Sequence, residues 1–167
     1  NTINLIEQAK VPDDADMVVV AGPKYDFREE EARFLDDYLK RGGAALVMVD
    51  AVVFTPILAK TVEKYGVKIN NDILILRPDD PRAALIGQNI SIISNFDESS
   101  PITRDFSKKS AVSVLMPTAR SLSDVAENPN SMKVTLAAKA APVMIQVTDV
   151  NTEADLKNIG RDRIKTG

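Results

Sequence analysis

Met17-Val18-Val19-Val20-Ala21 is an unbroken apolar run, set between the polar turn Val11-Pro12-Asp13-Asp14-Ala15-Asp16 and the breaker Gly22-Pro23. A short continuous run of this kind predicts a strand covered on both faces, as in a parallel sheet. The period then changes. Ala32, Leu35 and Leu39 recur at helical spacing with Phe34 and Tyr38 beside them, and Glu30, Glu31, Asp36 and Asp37 read as the solvated side. Asp26 and Glu29 have capping-box spacing at the start. Lys40 and Arg41 stand in the last turn, where the helix dipole favours cations, and Gly42-Gly43 stop the helix. Ala44 to Val49 is a second apolar run, ending at Asp50. Thr55-Pro56 supplies an N-cap and a first-turn proline, Leu58, Val62 and Tyr65 form a stripe, and Gly66 ends it. Two buried strands joined through a capped helix predict a β-α-β unit with a right-handed crossover.

Beyond Gly66 the pattern is less regular. Val67-Lys68-Ile69 and Ile73 to Leu76 read as strands around an Asn70-Asn71-Asp72 turn. Pro78-Asp79-Asp80-Pro81 reads as a loop and Ile90 to Ile93 as a short strand. Asn95 to Lys109 is mostly polar, predicting a long surface loop with one helical turn near Thr103. Val112 to Met116 reads as a strand closed by Pro117, and Ala126 to Met132 as a loop. Lys133 to Lys139 and Val143 to Val147 read as later strands, and Thr152 to Ile159 as a helix. The chain shows no internal repeat and no low-complexity tract.

Composition narrows the chemistry. The 167 residues suit one domain, and 44% apolar and 27% charged residues are ordinary globular values. Trp is absent, so aliphatic side chains carry the core. The 21 basic and 24 acidic residues are dispersed, giving a net charge of -3 and no footprint for a nucleic-acid backbone. Cys and His are both absent, which removes disulfides, thiolate metal sites, Cys nucleophiles and every mechanism built on an imidazole. No run approaches the roughly 20 apolar residues of a membrane span, so this chain itself predicts no membrane insertion. The chain opens on Asn1 rather than Met and closes on Arg163-Ile164-Lys165-Thr166-Gly167, which reads as a piece excised from a longer protein.

Few residues remain as candidates for ligand chemistry. Gly22 and Pro23 follow the first strand and Asp50 ends the second, so all three belong to the carboxyl rim where open α/β sheets bind ligands. A dinucleotide fingerprint requires G-x-G-x-x-G, and here a single Gly precedes a proline that lacks a donor, so a tight turn is the favoured reading. Turn formation is likewise favoured for Asp50. The pairs Asp13-Asp14, Asp36-Asp37 and Asp79-Asp80 lack the loop spacing of a calcium site. A Ser-His-Asp triad is impossible and G-x-S-x-G does not occur, while Ser107-Lys108 reads as a loop rather than a dyad. Asn89-Ile90-Ser91 matches a glycosylation acceptor, a frequent chance tripeptide. No catalytic residue, metal ligand or cofactor is assigned.

An ordered series of segments carries a resemblance. It runs from Val11 to Pro23, then Glu29-Glu30-Glu31 through Leu35-Asp36-Asp37-Tyr38-Leu39 to Arg41-Gly42-Gly43, then Leu46 to Asp50. Tyr65-Gly66-Val67 with Asn71-Asp72, Ser100-Pro101-Ile102-Thr103 with Phe106, and Pro117-Thr118-Ala119-Arg120-Ser121-Leu122 complete it. Together these resemble the ABC-type transport system auxiliary domain family, including its gliding-motility-associated (GldG-like) members, over about Val11 to Leu122. The resemblance implies a periplasmic or otherwise extracytoplasmic domain, anchored to the inner membrane by segments outside this chain. ABC permease and ATPase subunits would be its partners, and homo- or hetero-oligomers are open. It further implies a fold similar to class I glutamine amidotransferase-like domains, whose enzymes use a Cys-His pair that this chain lacks. Members of the family often carry His where Ser100 stands.

The expectation is therefore a single α/β domain over residues 1–167. Its largely parallel sheet with flanking helices would be flavodoxin/Rossmann-like (glutamine amidotransferase-like), with additional strands in the C-terminal half. Its expected role is non-catalytic binding or assembly. The alternatives are a carbohydrate- or small-molecule-binding receptor using the rim at Gly22, Pro23 and Asp50, and a carboxylate-dependent hydrolase.

Overall fold

The computed structural model describes residues 2–107, 112–125 and 132–150, with Ala154 and the backbone of Ile164 and Lys165. Most of the loop read over Ala126 to Met132, and the helix read over Thr152 to Ile159 except Ala154, lie outside the described residues.

The opening unit forms as the pattern predicts. A short helix α1 (Leu5–Gln8), capped by the Asn4 side chain, precedes β1 (Met17–Ala21), α2 (Glu29–Lys40), β2 (Ala44–Met48) and α3 (Pro56–Glu63). β1 and β2 pair in parallel from Met17–Ala44 to Ala21–Met48. Val18 and Val20 point inward against Leu35 and Tyr38 of α2 and Leu58 of α3, with Val11 closing the cluster. The two faces of this ribbon are unequal. Met17, Val19, Leu46 and Met48 on the other face keep 54, 50, 47 and 45% of their surface exposed. An apolar run announces a strand, but only alternate positions face the helices.

Two local readings also change. The first N-terminal cap sits two residues later than the sequence suggests: Arg28 is the N-cap, and Glu31 Oε2 accepts its backbone N–H at 2.8 Å. Asp36, read as solvated, is buried beneath two lysines, whereas Asp37 is exposed. The glycines after α2 serve different ends. Gly42 takes a φ of +91°, while a Cβ on Gly43 would run into the Tyr38 ring. The Tyr38 hydroxyl in turn donates to the Ala15 carbonyl at 3.1 Å, fixing the entry to β1.

The remaining elements are β3 (Val67–Ile69), β4 (Asp72–Leu76), α4 (Pro81–Ile86), β5 (Ile90–Phe96), α5 (Arg104–Ser107), β6 (Val114–Pro117), β7 (Leu122–Asp124), β8 (Ala138–Ala140), β9 (Met144–Thr148) and β10 (Ile164–Lys165). They form three small antiparallel sheets, ordered β10-β9-β4, β3-β7 and β6-β5-β8. The expected largely parallel, flavodoxin/Rossmann-like or amidotransferase-like sheet is therefore corrected: among the described residues, parallel pairing is confined to β1 and β2. The reason lies in long-range partners. β3 does not extend the parallel sheet after α3, because it pairs with β7 more than 50 positions on, from Val67–Asp124 to Ile69–Leu122. β4, buried at every position, pairs with β9 from Asp72–Thr148 to Leu76–Met144. Periodicity identifies a strand, but it does not name the neighbour.

Two further cores join these sheets. Ala51, just past β2, packs with Ile73, Ile75, Val147 and Val150. Leu76, Ile92 and Ala141 form the next cluster. In the polar stretch read as a loop, Asn95 and Phe96 instead extend β5, while the helical turn expected near Thr103 forms as α5 and docks on that strand; Lys108 and Lys109 lie outside the described residues. Thr103 Oγ1 donates to the Asp97 carbonyl at 2.9 Å, and the Phe96 and Phe106 rings lie 5.5 Å apart. Among the described residues no helix is long and apolar enough to cross a membrane.

Candidate functional site

The Gly22-Pro23 turn and Asp50 follow the ends of the paired strands β1 and β2. The Gly22 backbone N–H donates to the Met48 carbonyl at 2.9 Å, which extends the parallel ladder to the strand ends. Gly22 and Asp50 are exposed, and Pro23 is partly buried. Gly22 adopts a φ of +56°, so the chain leaves β1 through the left-handed region that glycine tolerates. Asp50 Oδ1 accepts the Val52 N–H at 2.9 Å and shapes the turn after β2.

Two further residues act here in roles that sequence reasoning missed: Asp26, read as part of a capping box for α2, and Arg120. Asp26 holds the N-terminus of α3: its Oδ2 accepts the Ile57 N–H at 2.7 Å and its Oδ1 the Leu58 N–H at 3.2 Å. The same carboxylate accepts the Phe27 N–H at 2.9 Å. A carboxylate at this point both caps the helix and answers its dipole, so the anion position of α3 is taken from within the chain. Arg120 reaches the rim from the far side. It donates to the carbonyls of Ala51 and Asn70 and to Asn71 Oδ1, and its guanidinium lies 5.3 Å from the centre of the Phe54 ring. Burial pulls the Arg120 pKa below its ordinary value, while Asp72 and Asp50 oppose that shift. Asp72 itself binds the Ser121 hydroxyl and N–H at 2.6 and 2.9 Å. This network ties the loop after β2 to the Asn70-Asn71 corner. Only the spatial contact between segments 50 and 70 positions apart from Arg120 reveals it.

The Asp36 carboxylate joins α2 to α3. Lys40 and Lys64 lie 2.9 and 3.0 Å from its Oδ2, and the Tyr65 hydroxyl donates to Oδ1 at 2.9 Å. Burial raises the Asp36 pKa, but the hydrogen bonds from Lys40, Lys64 and Tyr65 outweigh it and bring the value down to about 2. Burial and the adjacent carboxylate raise the Tyr65 phenol. Every partner here is a neighbour in the helix pair, so the arrangement reads as a structural latch.

A polar cavity of about 330 Å³ lies beside β5 and β8, lined by Asn95, Asp97, Ser99, Lys133, Val134, Thr135, Leu136 and Lys139. Hydrogen bonds from Ser99, aided by the Lys139 charge, hold the Asp97 carboxyl below its ordinary range. Its lining comes from two stretches more than thirty residues apart, neither with a recognisable motif. Ser100 is buried and serves its own turn: its carbonyl accepts the Arg104 N–H at 2.9 Å and its hydroxyl the Ile102 N–H at 3.3 Å. Among the described residues no three Asp or Glu side chains gather as a metal site would require.

The apolar surface is the other distinctive feature. The outer face of β1 and β2 is half exposed, and all four residues of β6 are exposed. These features define a mixed α/β structure in which several carboxylates cap the chain's own backbone and the outer face of the β1–β2 ribbon is aliphatic. Residues 1–108, from the N-terminus through α5, match the family model of the ABC-type uncharacterized transport system, and the chain belongs to that family. Membership carries a role as an auxiliary component of such a system. No curated protein and no solved structure matches the chain.

Proposed function

We propose that this domain is a non-catalytic, extracytoplasmic binding or assembly module of an ABC-type transport system, acting beside the permease and ATPase. The observation that carries the reading is the exposed aliphatic face of β1 and β2, with Met17, Val19, Leu46 and Met48 about half in solvent. Contiguous exposed apolar faces are where proteins meet partners or ligands. The family membership supports the same setting. Affinity purification of the tagged parent protein from its native membranes tests this. The permease and ATPase should be recovered, and the domain should be cut by protease added from the extracytoplasmic side. Recovery of neither subunit overturns the assembly role, and protection from external protease overturns the location.

The polar cavity at Asn95, Asp97, Ser99 and Lys139 supports a second reading, a receptor for a small polyhydroxylated ligand. The rim at Gly22, Pro23 and Asp50 is the other place on this domain where such a ligand would sit. A thermal-shift screen with mono- and oligosaccharides tests both positions. A rise in melting temperature lost on Asp97→Ala or Asp50→Ala assigns the site, and no rise at saturating sugar removes this reading.

A further inference from the structure

We infer that the cavity beside β5 and β8 binds a sugar bearing one carboxylate, with Lys133 and Lys139 taking its charge. This rests on the receptor reading proposed above and names the class of its ligand.

A shift of register builds the polar wall. The pairing of β5 with β8 slips by one position, from Ile93–Ala140 to Asn95–Lys139. Had the earlier register continued, Ala138 would stand opposite Asn95. The slip puts Lys139 there instead, and directly opposed residues of an antiparallel pair share a face. Asp97, two residues beyond Asn95, falls on the same face. Its N–H donates to the Ala137 carbonyl at 2.9 Å, so the shifted register carries on past β5. Bulges of this kind re-aim side chains beside binding sites. Lys133 to Leu136 supply the rest of the lining.

The charges of this lining do not cancel. Lys133 and Lys139 set two positive charges against the single carboxylate of Asp97, in a chain whose net charge is -3. Asp97 is committed to its own turn, where Oδ1 accepts the Ser99 N–H at 2.7 Å. Among the described residues neither lysine makes a hydrogen bond or ion pair, and the side chains of Asn95 and Thr135 make no hydrogen bond. An excess of one positive charge matches a carboxylate, whereas a phosphate monoester carries about 1.5 to 2 negative charges. Asn95, Ser99 and Thr135 suit hydroxyl groups, and Val134 and Leu136 suit the C–H face of a sugar ring. A volume of about 330 Å³ lies near the lower end of the roughly 300–1,000 Å³ of ligand cavities, which fits a monosaccharide.

Calorimetric titration of the full 167-residue chain tests the inference, with D-glucuronate, D-galacturonate, their parent hexoses and glucose 6-phosphate as probes. At least one uronate should bind tenfold or more tighter than its hexose, because a charge-assisted hydrogen bond is about twice as strong as a neutral one. Both lysines are exposed, so Lys133→Gln combined with Lys139→Gln should keep the urea midpoint and erase the uronate's advantage. Raising salt from about 0.05 to about 0.5 M should weaken the uronate and leave the hexose unchanged. An advantage below tenfold for both uronates overturns the inference, and a hexose that still binds then leaves the receptor reading standing. Tighter binding of glucose 6-phosphate, or an advantage that survives the double substitution, also overturns it. If no probe binds, the receptor reading and this inference fall together.

Discussion

Replacing Asp36 by Asn isolates the latch between the first two long helices. The substitution keeps the side-chain volume and removes the charge that Lys40, Lys64 and the Tyr65 hydroxyl share. The wild-type carboxyl has its pKa lowered from 3.8 to about 2. That is roughly two units, or about 2.5 kcal/mol of preference for the charged form. Asp36 is only 6% exposed, but Lys40 and Lys64 are 58 and 49% exposed, so solvent screens part of their share. We therefore expect Asp36→Asn to cost about 2 kcal/mol at pH 7. Urea unfolding should show the midpoint falling by about 1 M with the slope unchanged. The folded pKa lies below the unfolded one, so this stabilisation is complete above about pH 5. It is lost as protons occupy the folded carboxyl near pH 2. The gap between wild type and variant should thus close as pH falls from about 5 to 2. A gap under about 0.5 kcal/mol at pH 7, or one that persists unchanged at pH 2, refutes the latch.

Three other substitutions probe separate joints. Asp26→Ala should cost about 1–2 kcal/mol and speed amide exchange at Ile57 and Leu58, because the cap of α3 is lost; unchanged exchange there argues against it. Gly43→Ala should destabilise by about 1–3 kcal/mol through its clash with Tyr38. A double-mutant cycle with Tyr38→Leu should recover part of that cost, and strict additivity contradicts the clash. Arg120→Met should cost about 2–3 kcal/mol and raise amide exchange across residues 50–54 and 70–71, since the carbonyls of Ala51 and Asn70 lose their donor. Stability and exchange equal to wild type would leave Arg120 without a structural role.

The local elements of the first half were legible because their signals are local. The Val-rich run, the helical spacing of Ala32 and Leu35, and the Gly42-Gly43 stop each act within a few residues. What surrounds those elements was not. The run Met17–Ala21 reads as doubly covered, yet a sequence window has no information on whether an outer layer exists. Asp36 follows the acidic pattern of a wet face, and only Lys64 and Tyr65, in the turn that ends the next helix, make it an interior charge. β7 was missed because Leu122-Ser123-Asp124 is short and polar, and its identity as a strand comes from pairing with β3. That pairing, with β4 against β9, is what replaces a parallel sheet by small antiparallel ones. At the rim, the positions of Gly22, Pro23 and Asp50 follow from chain order because they lie just past β1 and β2, whereas Asp26 and Arg120 act across 31 and 69 positions.

The uncovered ribbon face is the claim on which the functional account turns. Val19→Asp combined with Leu46→Asp places two charges at its centre without touching the inner core, because both side chains are about half exposed. The tagged protein carrying both should keep its circular dichroism and a cooperative urea transition, with a midpoint lowered somewhat because the two like charges face each other across the register. It should nevertheless recover permease and ATPase at less than a tenth of the wild-type yield, whereas Leu85→Asp should recover them fully. Wild-type recovery by the folded double variant would contradict the account.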